Sequence, residues 1–129
     1  MHLIDITGAI ACHRHTNTLA LTAGVDSLDF IHPIKVGDLI ILKSRVTCAF
    51  KTSLEVEVEV FSEAIKSGDR KLTSRAYLTF VSLDDNGRPT EVAPLVVDTP
   101  EDEERCRAAH ARRAERLKRK DQALRPSGR

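Results

Sequence analysis

The chain has 129 residues, 41% of them hydrophobic and 30% charged, with a formal net charge of +1 at pH 7. That supplies one sizeable core and is too little for two. No stretch approaches the roughly 20 consecutive apolar residues a membrane helix requires, and the opening Met1-His2-Leu3-Ile4-Asp5 has no basic n-region, so it does not read as a signal peptide.

The first predicted element is a helix over Leu3 to Arg14, where Leu3, Ile4, Ile6, Ala9, Ile10, Ala11 and Cys12 leave almost no polar side. Such a helix is expected to be buried all round, under a wrapping sheet or a second chain. His13 and His15 stand two apart, which turns their rings away from each other and gives no metal site. Three cysteines, Cys12, Cys48 and Cys106, are odd in number and widely spaced. That argues against a disulfide framework or a zinc knuckle and fits a reducing, cytoplasmic setting, with Cys12 as a small core residue.

Strand formers follow over Leu19 to Phe30, then a turn through Pro33 and Gly37, then a long strand over Asp38 to Phe50. The clearest pattern is Leu54, Val56, Val58 and Val60 alternating with Glu55, Glu57 and Glu59. Period two without a miss predicts an antiparallel strand with one buried face and one wet face. Lys66 to Asp69 is a turn, Leu72 to Leu83 a further strand, and Asp85-Asn86-Gly87-Arg88 another turn. Thr99-Pro100-Glu101-Asp102 opens a terminal helix: Thr99 as N-cap, Pro100 at the first position, Asp102 at capping-box spacing, acids first and bases towards its end.

One apolar helix, at least four long strands and a charged terminal helix make an α+β order, with strands of about a dozen residues against the usual five or six. In chain order, Leu3 to Ala11 with Arg14-His15, then Thr22-Ala23-Gly24-Val25-Asp26 with Phe30, Pro33 and Val36-Gly37-Asp38, then Phe50 to Val56, then Thr79 to Asp84, resemble the hotdog acyl-CoA thioester hydrolases. The resemblance implies a long central helix wrapped by a curved antiparallel sheet (residues 1–98), a basic C-terminal helix over 99–125 and a frayed tail at 126–129. It implies hydrolysis of acyl-CoA in fatty acid metabolism, with Asp5 as the catalytic carboxylate that orients or deprotonates the attacking water.

Coenzyme A contacts carry over to the strand backbone at Ala23, Gly24 and Val25, to Thr52, Ser53 and Leu54, and to Arg113, with Arg112 and Arg116 as neighbouring candidates. No cofactor or metal is required on this reading; coenzyme A binds as part of substrate and product. The expected assembly is a homodimer or a trimer of dimers, without nucleic acid or membrane. One departure stands out. The family carries a strand and a Gly-Gly turn before the helix, whose amides hold the carbonyl oxygen, whereas only four residues precede Asp5. That strand and turn are expected to be missing here, leaving the oxyanion donors unassigned.

The alternatives to a hydrolase are therefore a non-catalytic acyl-CoA-binding module that has lost its oxyanion turn, and a partner that completes the sheet of another hotdog chain. The basic helix has three readings: a solvated face, a clamp for coenzyme phosphates, or a nucleic-acid patch. With aromatics at 4% of the chain and none in the helix, stacking recognition of bases has nothing to work with.

Overall fold

The computed structural model describes residue 4, residues 7–11 and residues 19–124. Asp5, Cys12, His13, His15 and the expected tail lie outside the described residues. Helix α1 (residue 4 and residues 7–11) precedes the strands β1 (Leu19–Phe30), β2 (Leu39–Ala49), β3 (Ser53–Glu63) and β4 (Arg70–Leu83), and helix α2 (Pro100–Leu124) closes the chain. The strands form one antiparallel sheet in the order β1-β4-β3-β2.

The alternation read in β3 sets the inner face. Leu54, Val56 and Val58 are fully buried and pack with Ala76, Leu78 and Phe80 of β4. Helix α1 lies on this face. Ile4 joins the core, the Ser44 hydroxyl donates to the Thr7 carbonyl at 3.2 Å, and Gly8 sits against the Phe80 ring. A Cβ at Gly8 would stand 3.0 Å from two ring carbons, so a larger residue here would require the Phe80 ring to give by a few tenths of an ångström. Ile10 is 50% exposed, so within this chain the sheet covers one side of the helix, and the cover expected on the other side would have to come from a second chain.

The outer face departs from the wet face expected of it. Glu55 is 1% exposed because α2 lies across this end of the sheet. A bulge in β2 prepares the contact. Val46 faces Val56 and the next pair is Cys48 with Glu55, so Thr47 is the extra residue. Strict alternation from Val46, which packs on the core, would send Cys48 inward. The bulge instead turns both Thr47 and Cys48 outward. Thr47 donates to the Glu55 carboxylate at 2.6 Å, and Cys48 is bonded to Cys106 of α2.

Further along the outer face a ladder of cross-strand charges takes over. Arg75 donates to Glu59 at 2.9 Å, Arg45 pairs with Glu57 and Glu59, and the Tyr77 hydroxyl donates to Glu57 at 2.8 Å. The turns use glycine where φ is positive, at Gly68 and Gly87, and the Asp84 carboxylate accepts from the amides of Asn86 and Arg88. The connection to α2 is pinned by Val92 donating its amide to Lys51, and Thr99 caps the helix by accepting from Asp102 at 3.1 Å. Acids fill the first turn of α2, while its last turn has no basic residue; the bases stop at Lys120.

Candidate functional site

Helix α2 carries few apolar anchors. Ala109 is fully buried, and one turn on Arg112 reaches across the sheet to Glu55 with two hydrogen bonds of 2.9 and 2.7 Å. The Arg112 guanidinium also stacks on the Tyr77 ring, 3.6 Å from its centroid. Hydrogen bonding to Glu55 holds Arg112 above its ordinary value against the opposing effect of burial. Burial first, then the hydrogen bond to Glu57, pushes Tyr77 up to about 12. Arg112 thus positions the helix and is occupied in doing so. Arg113, the arginine singled out from the sequence, lies over the Phe50 ring at 4.9 Å.

With α2 held this way, the next turns of its basic stripe overhang edge strand β1. A cleft of about 630 Å³ opens there, between the β1 backbone at Ala23, Gly24 and Val25, the hydroxyls of Thr52 and Ser53, and the cations Arg116, Arg119 and Lys120. Irregularities in β1 on both sides of Gly24 and Val25 interrupt its pairing with β4 within this stretch. Five of the seven residues expected to contact a coenzyme are therefore in one place. Leu54 is not among them, because its side chain is fully buried on the opposite face of the sheet. Arg113 does not line the cleft either; the neighbouring candidate Arg116 does. Arg119 and Lys120 were missed from the sequence, although spacing of three to four residues from Arg116 puts them on its stripe.

The arrangement suits a long anion. Unpaired backbone at a sheet edge hydrogen-bonds amides, and guanidinium groups bind phosphate in a bidentate manner. Among the described residues one grouping has metal-ligand character, Cys48, Cys106 and His110, and its two sulfurs are engaged with each other. The disulfide overturns the expectation of free, separate thiols. Two cysteines 58 residues apart carry no spacing signal, and their meeting depends on the Thr47 bulge.

Comparisons with known proteins agree with this architecture. The family model described as the thioesterase superfamily matches residues 1–68. An uncharacterized acyl-CoA thioester hydrolase of Bacillus subtilis is 40% identical over 102 residues, covering 79% of this chain and 59% of that protein. The human cytosolic acyl coenzyme A thioester hydrolase is 35% identical over 129 residues, covering 93% of this chain and 34% of its own. This chain thus spans roughly a third to three fifths of these two relatives.

An apo-hexameric acyl-CoA thioesterase superposes with a TM-score of 0.88 at 37% identity, over 96% of this chain and 78% of that one. An acyl-CoA hydrolase from Staphylococcus aureus, solved with butyryl coenzyme A, coenzyme A and coenzyme A disulfide, gives 0.86 at 32% identity, over 95% and 75% of the two chains. The fold is the hotdog fold. With a family model over more than half its residues and a sheet and helices that superpose on solved members, the chain belongs to the thioesterase superfamily.

Proposed function

We propose that the chain hydrolyses acyl-CoA thioesters: water adds to the thioester carbonyl, the carbon–sulfur bond breaks, and a carboxylic acid and the coenzyme A thiol leave. One observation carries this reading, the convergence of the β1 edge, the Thr52 and Ser53 hydroxyls and three cations in one cleft. Coenzyme A has the matching chemistry, an amide-bearing arm that can lie along strand backbone and phosphates that suit Arg116, Arg119 and Lys120. Asp5 is the general base in this reading, on the motif of the opening helix. A thiolate is a good leaving group, so a positioned carboxylate and local dipoles suffice without a metal or cofactor.

The name of the human relative supports a place in the cytosol. No described helix is long and apolar enough to cross a membrane. Self-association, as a dimer or a trimer of dimers, is supported by uncovered apolar surface: Ile10 on α1, and Phe30 and Val36 at the end of β1 and in the loop after it. The names of hexameric relatives support the same reading.

The test is loss of thioester absorbance for a panel of acyl-CoAs, with coenzyme A binding followed by calorimetry. Asp5→Asn should lower kcat by about a hundredfold or more, the range of general-base catalysis. A variant as fast as the parent would remove Asp5 from the base's role. Binding of coenzyme A with no turnover of any acyl-CoA would make the chain a non-catalytic acyl-CoA-binding module.

A further inference from the structure

We propose that Cys48 and Cys106 form a reversible thiol–disulfide site that governs how firmly the basic helix α2 is docked. The pair joins β2 to α2 across 58 residues of chain, with Cα atoms 4.7 Å apart. Its surroundings differ at the two ends. Cys48 is 1% exposed, whereas Cys106 is half-buried and His110, one helical turn further on, is exposed. A ring nitrogen of His110 and both sulfurs lie within 4.8 Å of one another. Arg113, held over Phe50, stands on the next part of the same helix surface, and the His110 ring meets Phe50 edge-on at 5.1 Å. A partly exposed cysteine with an imidazole beside both sulfurs provides the access and the proton-transfer group that thiol–disulfide exchange uses.

The reaction partner is a low-molecular-weight thiol. Its thiolate attacks Cys106 Sγ, the protein disulfide breaks, and the electron pair leaves on Cys48 Sγ, which takes a proton from His110. A second thiol molecule attacks the mixed disulfide on Cys106, releasing the second protein thiol and one small-molecule disulfide. The net change is two electrons and two protons to the protein, and a small-molecule disulfide reverses it. In a reducing compartment, bonds of this kind are transient and redox-sensing rather than structural.

The consequence follows from what else holds α2. Among its described residues Ala109 is the buried apolar one and Leu117 is exposed, and the other ties are Arg112 on Glu55 and Tyr77, with His110 and Arg113 on Phe50. Opening the disulfide leaves the helix on those anchors. The cations Arg116, Arg119 and Lys120 overhang the cleft only while the helix is docked. An effect on coenzyme affinity rests on reading that cleft as a coenzyme A site; control of helix docking does not.

The full chain is equilibrated in buffers of graded thiol-to-disulfide ratio, alkylated, and mapped for the peptide linking Cys48 to Cys106. Amide hydrogen exchange over residues 100–124 and calorimetric binding of coenzyme A are measured at both extremes. The link should form and open reversibly, exchange in α2 should rise about tenfold on reduction, and coenzyme A should bind several-fold more weakly. Cys106→Ser should match the reduced parent and ignore the redox ratio. His110→Ala should keep the link but slow its opening. A link that never forms, or α2 exchange that is the same in both states, would overturn the proposal. Redox-dependent exchange with no coenzyme A binding in either state would support it, while sinking the coenzyme reading of the cleft.

Discussion

Glu55 shows how one side chain can commit a protein to an arrangement. It is fully buried and its carboxylate is met by Thr47 and by the fork of Arg112. A carboxylate in that position is tolerable only with its donors present, since desolvation otherwise outweighs what the pair returns. Arg112→Ala should therefore destabilise the fold by about 3 kcal/mol in chemical denaturation, and adding Glu55→Leu should recover much of it. Tyr77, beneath the same guanidinium, is the chain's only tyrosine, and there is no tryptophan. Its ionisation can thus be followed directly by phenolate absorbance.

Because the folded protein raises Tyr77 to about 12 from an ordinary 10.0, the unfolded chain loses that proton first as pH rises. The stability it contributes is whole below pH 10 and disappears between there and about 12. Tyr77→Phe should flatten the stability profile in that window, and the native phenolate transition should appear well above that of the unfolded chain.

At the scale of elements, two joints set the architecture. The first is Gly8 against Phe80, where α1 lies close on the sheet. Gly8→Val should cost about 1–3 kcal/mol by overpacking, because Phe80 is fully buried and has little room to yield. The second is the start of α2. Thr99→Ala should cost about 1 kcal/mol, with faster amide exchange confined to the first turn.

Most of these elements were legible in the sequence. Perfect alternation from Leu54 to Val60 gave β3 its buried face, and Thr99-Pro100 marked where α2 begins. What could not be read was anything that depends on elements meeting out of register. A reader following period two puts Cys48 inside and Glu55 in water; the bulge and α2 reverse both. The β1, Thr52 and Ser53 part of the cleft was reached through family motifs; of its cations Arg116 stood among the candidates, whereas Arg119 and Lys120 did not. Local spacing shows which residues share a stripe, but only docking shows which part of the stripe overhangs the sheet edge.

For the molecule as a whole, coverage is uneven. Helix α1 covers part of the inner face and α2 part of the outer, while Phe30 is 83% exposed and Val36 fully so. Apolar side chains this exposed at an open sheet edge favour contact with another copy. Phe30→Glu with Val36→Glu should lower the mass found by light scattering while leaving the circular dichroism of the chain unchanged. A parent that stays monomeric at micromolar concentration would contradict this.

The extra residue at Thr47 also makes the protein unequally tolerant of two kinds of genetic change. A substitution at Thr47, Cys48 or Glu55 removes the contacts of one side chain and leaves the frame of the strand intact. Deleting a single codon there would restore regular pleating and rotate the neighbouring side chains to the opposite face. The hydroxyl under Glu55, the sulfur facing Cys106 and the seat of α2 would be lost together. Length variation in β2 should therefore be purged from working copies of this protein far more strictly than any single replacement along it.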